Sequence, residues 1–183
     1  DGEQVKVMVD AACEAFGEVD ILVNNAGGGW IIQDYTDIEP DHWRSVLAAE
    51  IDGAFLTMKY VLPGMREREW GRIIHLGMHD TVFTDAVRDT APDYCLGKAA
   101  RAWMTRAFGR RELNRGVTVN CIAPGLTAFM SFEEAVKAAG GNLSDWRGRE
   151  NLNCHDVAEL VAFLCSDAGR FISGSVIELH DRA

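Results

Sequence analysis

The sequence predicts an α/β fold in which a parallel sheet is flanked by helices. Buried-strand runs alternate with amphipathic helical segments along the 183 residues, and this alternation is typical of parallel strands joined by helical crossovers. A hydrophobic content of 48% is enough for one sizeable core, so we expect a single domain over residues 1–183. The sequence contains no internal repeat or low-complexity tract that would indicate another architecture.

Apolar periodicity and turn residues predict the elements in order. Helical spacing predicts a helix at Val5–Phe16, and a β-branched apolar run predicts a strand at Val19–Asn25. A long helix is predicted at Asp41–Leu62, with an end or kink at Pro63-Gly64 because proline disrupts a helix interior. The later elements are a strand at Arg72–Leu76, a helix at Tyr94–Leu113, a strand at Val117–Ile122, a helix at Val157–Ser166 and a strand at Ser175–Leu179.

Charge and composition argue against several classes of function. A formal net charge of -10 disfavours nucleic acid and anionic membranes as partners. No apolar run approaches the ~20 residues of a membrane span, and no signal-peptide pattern opens the chain. The five cysteines are scattered without a Cys-x-x-Cys spacing, which favours reduced thiols in a cytoplasmic protein over disulfides or a zinc site.

Tyr94 and Lys98 form a Tyr-x-x-x-Lys motif at the start of a predicted helix. Residues four apart lie on one face of a helix, so the phenol and the ammonium are expected to share a pocket. A nearby cation lowers the cost of forming phenolate, and a tyrosine tuned in this way suits general acid–base chemistry on an alcohol or a carbonyl.

Two further segments accompany this motif. Asn24-Asn25-Ala26-Gly27 ends the first predicted strand, and Pro124-Gly125 ends the strand after the Tyr94 helix. With these three motifs in this order, the sequence resembles the short-chain dehydrogenase/reductase family, over that family's C-terminal two-thirds. The family's N-terminal glycine-rich part, Gly-x-x-x-Gly-x-Gly, is absent from this chain. The resemblance implies a Rossmann-like doubly wound sheet that is incomplete at its N-terminal side.

The resemblance also implies a reaction and a cofactor. A protein of this family would transfer hydride between NAD or NADP and a carbonyl or secondary alcohol, and this sequence does not decide between the two cofactors. Tyr94 would be the acid/base, and Lys98 would lower the Tyr94 pKa and hydrogen-bond the nicotinamide ribose. The other positions implied to bind the cofactor are Asn24, Ala26, Gly27, Pro124, Gly125 and Thr127.

Two catalytic positions of the family are altered here. Counting from the preceding strand, Met78 stands where the family has its catalytic serine, and a thioether cannot donate a hydrogen bond. Counting back from Tyr94 gives Thr81, whose hydroxyl could substitute, and His79 is a third candidate. Glu50 stands at the family's asparagine of the proton-relay water, where it could hold a water, pair with Lys98 or trap that lysine in a salt bridge.

The least regular segment, 126–153, is predicted to be a substrate lid. Its large apolar residues indicate an apolar or cyclic substrate, although nothing in the sequence identifies it. In the family, the two long helices pack against their symmetry mates, which implies a homodimer or homotetramer. An alternative is a catalytically impaired binding or assembly subunit, which the residues at positions 50 and 78 favour. His75 and His79, and likewise Cys154-His155-Asp156, are interpreted as structural, so no metal site is predicted.

Overall fold

Four parallel strands form one sheet in the computed structural model, which describes residues 1–29, 31–79, 81, 91–125, 127 and 152–180. The strands lie side by side in chain order, and Ile73 of the second strand pairs with Val119 of the third. This arrangement confirms the predicted α/β class. The strands are β1 (Ile21–Asn24), β2 (Gly71–Leu76), β3 (Val117–Pro124) and β4 (Val176–Leu179).

Helices connect these strands and cover both faces of the sheet. Within the described residues, the α-helices are α1 (Gly2–Phe16), α2 (Pro40–Leu47), α3 (Gly53–Glu67), α4 (Pro92–Leu113) and α5 (Cys154–Cys165). A π-helical segment, Ala48–Asp52, joins α2 to α3, and short 3₁₀ turns occur at Tyr35–Asp37 and Asp167–Gly169. None of the described helices is long and apolar enough to cross a membrane.

Adjacent residues of β2 and β3 supply two separate cores, because successive side chains point to opposite faces. On one face, Ile73 and Val119 pack with residues of α1 and α3, such as Val9 and Met65. On the other face, Ile74 and Ile122 pack with Leu164 of α5 and its neighbours. Both faces are therefore buried at β2 and β3, as expected for parallel strands between helical layers.

Of the end or kink predicted at Pro63-Gly64, the end is wrong, because α3 continues through Pro63 to Glu67. A proline inside a helix costs about 3 kcal/mol. Around it, Val61, Leu62 and Met65 are all buried, and each apolar side chain contributes about 1.5–3 kcal/mol on burial. Packing of this face against the core therefore outweighs the local cost. The π-helical segment is also a departure, since one continuous α-helix was predicted there.

At one edge of the sheet, β1 pairs only with β2 among the described strands. Ile21 and Val23 of this strand are exposed, whereas every residue of β2 is buried. The edge agrees with a sheet that is incomplete at its N-terminal side. The predicted lid, 126–153, lies outside the described residues apart from Thr127, Leu152 and Asn153.

Candidate active site

A cavity of about 770 Å³ lies at the carboxyl ends of β1, β2 and β3, which is where open α/β sheets bind ligands. The turn after β1, the end of β2, the first turns of α4 and the residues after β3 all contribute to its lining. One side of α5 adds Cys154 and three apolar residues, a wall that the sequence did not predict. The predicted site residues found in this lining are Ala26, Gly27, Tyr94, Lys98, Pro124 and Thr127.

Tyr94 and Lys98 meet in this cavity because both lie on the inner face of α4. Pro92 occupies the first turn of that helix, where its missing N–H leaves no bond unmade. The Lys98 ammonium lies 5.0 Å from the centroid of the Tyr94 ring and donates a hydrogen bond to the Leu76 carbonyl at 3.3 Å. The ammonium is therefore a buried charge that the end of β2 helps to hold.

Glu50 is fully buried beside Lys98 and lines the same cavity. It belongs to the π-helical segment, and its Oε2 lies 3.2 Å from Lys98 Nζ. Its Oε1 accepts a hydrogen bond from the Gly28 amide at 2.8 Å. The geometry thus contains the ion pair between Glu50 and Lys98 that the sequence analysis considered.

Arg101 is a second buried cation at this carboxylate, and the sequence analysis missed it. Its Nη2 lies 3.0 Å from Glu50 Oε2. The guanidinium also donates to the carbonyls of Asn24 and Leu76 at 2.9 and 3.1 Å, to the Ala26 carbonyl, and through Nε to the Glu50 carbonyl at 2.9 Å. The spacing in the sequence could have revealed this residue, because Arg101 is three residues after Lys98 and therefore lies on the same face of a helix.

Burial and the Glu50 charge set the acidities in this cluster. Burial is the largest cause that raises the Tyr94 pKa, the Glu50 charge raises it further, and the Arg101 charge opposes them. The pKa of Lys98 is lowered, first by burial and then by Arg101, while Glu50 opposes this shift. The resemblance implied a lowered Tyr94 pKa, and the net direction in this structure is the opposite.

Two glycines make room for the Glu50 side chain. A Cβ on Gly27 would overlap the Glu50 carboxylate, and a Cβ on Gly97 would overlap Glu50 Cβ. At Gly28, a Cβ would approach Val46 within 3.0 Å. The sequence analysis attributed the small residues of the β1 turn to ligand approach, and here they also accommodate the buried acid.

Asn24 and Gly125 differ from the other predicted cofactor positions, since neither is among the described residues that line the cavity. The Asn24 side chain is buried, accepts a hydrogen bond from Thr57 at 2.7 Å, and lies 3.3 Å from His75 Nδ1. Gly125 donates its amide to the Leu179 carbonyl at 2.9 Å, which links the ends of β3 and β4. Both residues thus support the elements around the cavity.

The three candidates for the serine position follow β2, and none is among the described lining residues. The Thr81 hydroxyl donates to the Met78 carbonyl at 2.6 Å. The His79 amide donates to the Pro124 carbonyl at 3.1 Å, and its ring makes an edge contact with His180 at 5.1 Å between centroids. Thr81 as a catalytic group therefore stays a prediction.

The predicted structural histidine on β2 is fully buried. His75 Nε2 lies 3.2 Å from the Met58 sulfur, and its Nδ1 faces the Asn24 amide. Burial, with a contribution from Arg101, lowers the pKa of His75 to about 3. This side chain is a neutral part of the core beneath the site.

The comparisons with known proteins agree on one family. Residues 1–180 match the family model described as enoyl-(acyl carrier protein) reductase. The chain is 28% identical to 3-oxoacyl-[acyl-carrier-protein] reductase FabG of Haemophilus influenzae, over 98% of this chain and 73% of the relative. It is 31% identical to 2,3-dihydroxy-2,3-dihydro-p-cumate dehydrogenase of Pseudomonas putida, over 93% and 66%.

A solved structure from Bacillus thuringiensis, provisionally assigned as a 3-oxoacyl-reductase, has the same fold. It superimposes with a TM-score of 0.82 at 25% identity, and the match covers 98% of this chain and 72% of that one. The sheet, the order of the three motifs and the full-length family match agree. The chain belongs to the short-chain dehydrogenase/reductase family of NAD(P)-dependent oxidoreductases.

Proposed function

We propose that the protein transfers hydride between NAD or NADP and a ketone or secondary alcohol, with Tyr94 as the acid/base. The observation that carries this proposal is the convergence of Tyr94 and Lys98 in a cavity at the carboxyl ends of the strands. A phenol whose ring centroid lies 5.0 Å from a buried ammonium is suited to exchange a proton with a substrate oxygen.

The residues of the cavity suit a dinucleotide. The Asn25–Gly28 turn supplies a wall with little side-chain bulk, and Lys98 supplies a buried donor. When bound, the nicotinamide donates or accepts the hydride, which the protein cannot do alone.

Tyr94 and Lys98 would divide the remaining work. In the reducing direction, the Tyr94 hydroxyl gives its proton to the carbonyl oxygen as negative charge develops there. In the oxidising direction, the Tyr94 phenolate takes the proton from the alcohol. Lys98 stabilises that phenolate by its charge, and its N–H groups are available to a ribose hydroxyl.

An apolar or cyclic substrate is favoured by the wall that α5 contributes. Val157, Ala158 and Val161 present aliphatic surface to the cavity. A relative named for dehydrogenation of a dihydrodiol of p-cumate has a ring-bearing substrate, which supports the same class. We therefore propose a ketone or secondary alcohol attached to a ring or an alkyl chain.

Tyr94→Phe is the decisive variant. It removes the proton donor and keeps the ring, so kcat with a panel of cyclic and aliphatic ketones should fall by about 10²–10⁴-fold while NADPH or NADH binding persists. The matched control is Tyr60→Phe, because Tyr60 packs against the core on α3 and is not part of the cavity. Unchanged turnover in Tyr94→Phe would contradict the mechanism.

Two more substitutions separate the remaining roles. Lys98→Ala should weaken both turnover and cofactor binding, because it removes a charge and a donor together. Thr81→Ala tests whether that hydroxyl fills the serine's role, and an unaltered kcat would exclude it. If no ketone or alcohol is turned over while a nicotinamide cofactor still binds, the protein is instead a binding or assembly subunit, as Met78 and Glu50 would favour.

A further inference from the structure

One carboxylate in the cavity faces two cations. Glu50 Oε2 lies 3.2 Å from Lys98 Nζ and 3.0 Å from Arg101 Nη2, and all three side chains are buried. Charges at these separations interact strongly where water is excluded. The cluster therefore carries a net charge of about +1 when all three groups are ionised.

The two cations are not held alike. Arg101 is fixed by backbone carbonyls at the ends of β1 and β2 and at Glu50 itself, so its position does not depend on the carboxylate alone. By comparison, Lys98 donates to one carbonyl among the described residues, that of Leu76 at 3.3 Å, and its ammonium lies 5.0 Å from the centroid of the Tyr94 ring. Arg101 is thus held in place as an ion-pair partner of Glu50, whereas the ammonium of Lys98 has fewer contacts that fix its position.

The consequence for Tyr94 follows from adding the charges. A cluster of Glu50 and Lys98 alone would be neutral, and a phenolate beside it would gain little stabilisation. With Arg101 present, one positive charge remains in excess. We infer that Arg101 engages Glu50 and thereby leaves the charge of Lys98 to act on Tyr94, so that Glu50 and Arg101 are positioning residues that work as a pair.

This inference rests on the proposed role of Tyr94, and it assigns a role to Arg101 and to the acid that replaces the family's asparagine at position 50. The opposite effects of the two paired charges on Tyr94 agree with this part of the inference, since Glu50 raises the pKa of Tyr94 and Arg101 lowers it. A merely structural Arg101 would hold the strand ends together without any effect of its charge on the tyrosine.

Other titratable groups near the cluster are accounted for. Asp93 accepts the Tyr94 amide at 2.8 Å and lies 3.3 Å from His42 on α2. On β3, burial raises the pKa of Cys121 to about 11, so this thiol is neutral at physiological pH. Cys95 on α4 and Cys154 on α5 are the other thiols close by, and all of these groups stay unchanged in the variants below.

The test is a spectroscopic titration of Tyr94 that needs no substrate. Tyrosinate absorbance of each protein is measured against pH, and the curve of the same protein carrying Tyr94→Phe is subtracted. Glu50→Gln keeps the size and the acceptor for the Gly28 amide while it removes the charge, so the Tyr94 midpoint should fall by about one pH unit. Arg101→Gln should raise the midpoint by a similar amount.

The double variant is the sharpest arm of the test. Glu50→Gln combined with Arg101→Gln removes one charge of each sign, so its midpoint should return to that of the unaltered protein. A midpoint in the double variant that matches Arg101→Gln, or no change in Glu50→Gln, would overturn the inference. Glu50→Gln leaves two buried cations without their carboxylate, so if it fails to fold, a midpoint in the double variant that lies below that of Arg101→Gln upholds the inference. Arg101→Lys keeps the charge without the fork of donors and should leave the midpoint close to the original.

The same proteins separate this inference from the proposed function. In ketone reduction, the apparent pKa of the basic limb of the kcat profile should move with the Tyr94 midpoint. It should be lower in Glu50→Gln than in the unaltered protein, and it should return to the original value in the double variant. Midpoints that shift as expected without any movement of that limb would uphold the charge pairing and contradict Tyr94 as the proton donor. Midpoints that do not shift would contradict the pairing whatever the activity.

Discussion

At the scale of single residues, the site depends on glycines, whose lack of a side chain leaves room for Glu50. Glu50 is enclosed so tightly that Gly27 and Gly97 have no room for a methyl group. Gly97 lies within α4, where alanine would otherwise be preferred by about 1 kcal/mol. The position of the carboxylate is therefore fixed by packing as well as by charge.

Gly97→Ala should destabilise the protein and move Glu50. Overpacking of a tight site costs about 1–3 kcal/mol, which exceeds the gain in helix propensity. Chemical denaturation measures the loss, and the titration midpoint of Tyr94 reports the displaced carboxylate. Gly29→Ala is the matched control, because a Cβ there meets nothing described within 4 Å and its φ is not positive. Equal stability of the two variants would contradict this account.

His75 should make the protein less stable in acid. Its folded pKa is about 3 and its unfolded pKa about 6.5, so below pH 6.5 the unfolded chain binds a proton that the folded chain refuses. Stability is therefore full above pH 6.5 and falls by about 1.4 kcal/mol per unit as the pH drops towards 3.

Urea unfolding at several pH values checks this slope. His75→Gln, which does not titrate, should flatten it by the stated amount between pH 6 and pH 4. A slope that is the same in His75→Gln as in the unaltered protein would show that this histidine is not the cause.

The residues of the cavity also show how much of the site could be predicted from the sequence. Tyr94 and Lys98 were found because they are four apart on one helix, and local spacing is visible in a sequence. The contact between Glu50 and Arg101 joins positions 51 apart and exists only once the strands are ordered. Its charges could be read from the sequence, but their pairing could not.

At the scale of elements, α5 forms a wall of the cavity and its start is fixed by a capping box. The Asn153 side chain accepts the amides of His155 and Asp156 at 2.8 and 3.2 Å, and Asp156 accepts the Asn153 amide at 3.0 Å. Cys154 and Val157, which line the cavity, lie in the turn that this box holds. The helix start was predicted three residues late, at Val157, because the cap was not recognised.

Asn153→Ala should lower the free energy of unfolding by about 1 kcal/mol through loss of the cap. It should also raise KM more than it lowers kcat, because the first turn of α5 frays at the binding wall while Tyr94 stays in place. Asn153→Ser restores an acceptor and serves as the control. A stability loss that serine does not repair would mean that packing, and not the cap, is responsible.

Elements that depend on non-local packing were the ones predicted less well. The run of β-branched residues was enough to find each strand to within two residues at each end. The continuation of α3 past Pro63 needed the core beneath it, and the π-helical segment needed the space that the glycines leave. Propensity describes a segment alone, so tertiary packing overrode it at these two places.

At the scale of the whole molecule, α3 and α4 bury one face and leave apolar residues on the other. Trp103 is 69% exposed on α4, and Phe55 on α3 is also exposed. Large exposed aromatic side chains on neighbouring helices are typical of an interface. We expect a two-fold homodimer or a tetramer in which these helices meet their symmetry mates.

Trp103→Glu should therefore dissociate the assembly, because it places a charge in a buried, symmetric contact. The molar mass from light scattering during gel filtration should fall towards that of one chain. Phe16→Glu, which alters an aromatic residue 91% exposed at the end of α1, is the control and should leave the mass unchanged. A mass that resists Trp103→Glu would place the interface elsewhere or exclude it.

The Glu50–Arg101 pair also constrains the order in which such a site can arise by single substitutions. An intermediate with Glu50 and a neutral residue at 101 still pairs its acid with Lys98. The reverse intermediate, with Arg101 and a neutral residue at 50, buries two neighbouring cations without a carboxylate at ion-pair distance among the described residues. Uncompensated buried charge is strongly destabilising. We therefore expect that the glutamate at position 50 was acquired before the arginine at position 101 during evolution. A stepwise reversion in the laboratory should likewise replace Arg101 before Glu50.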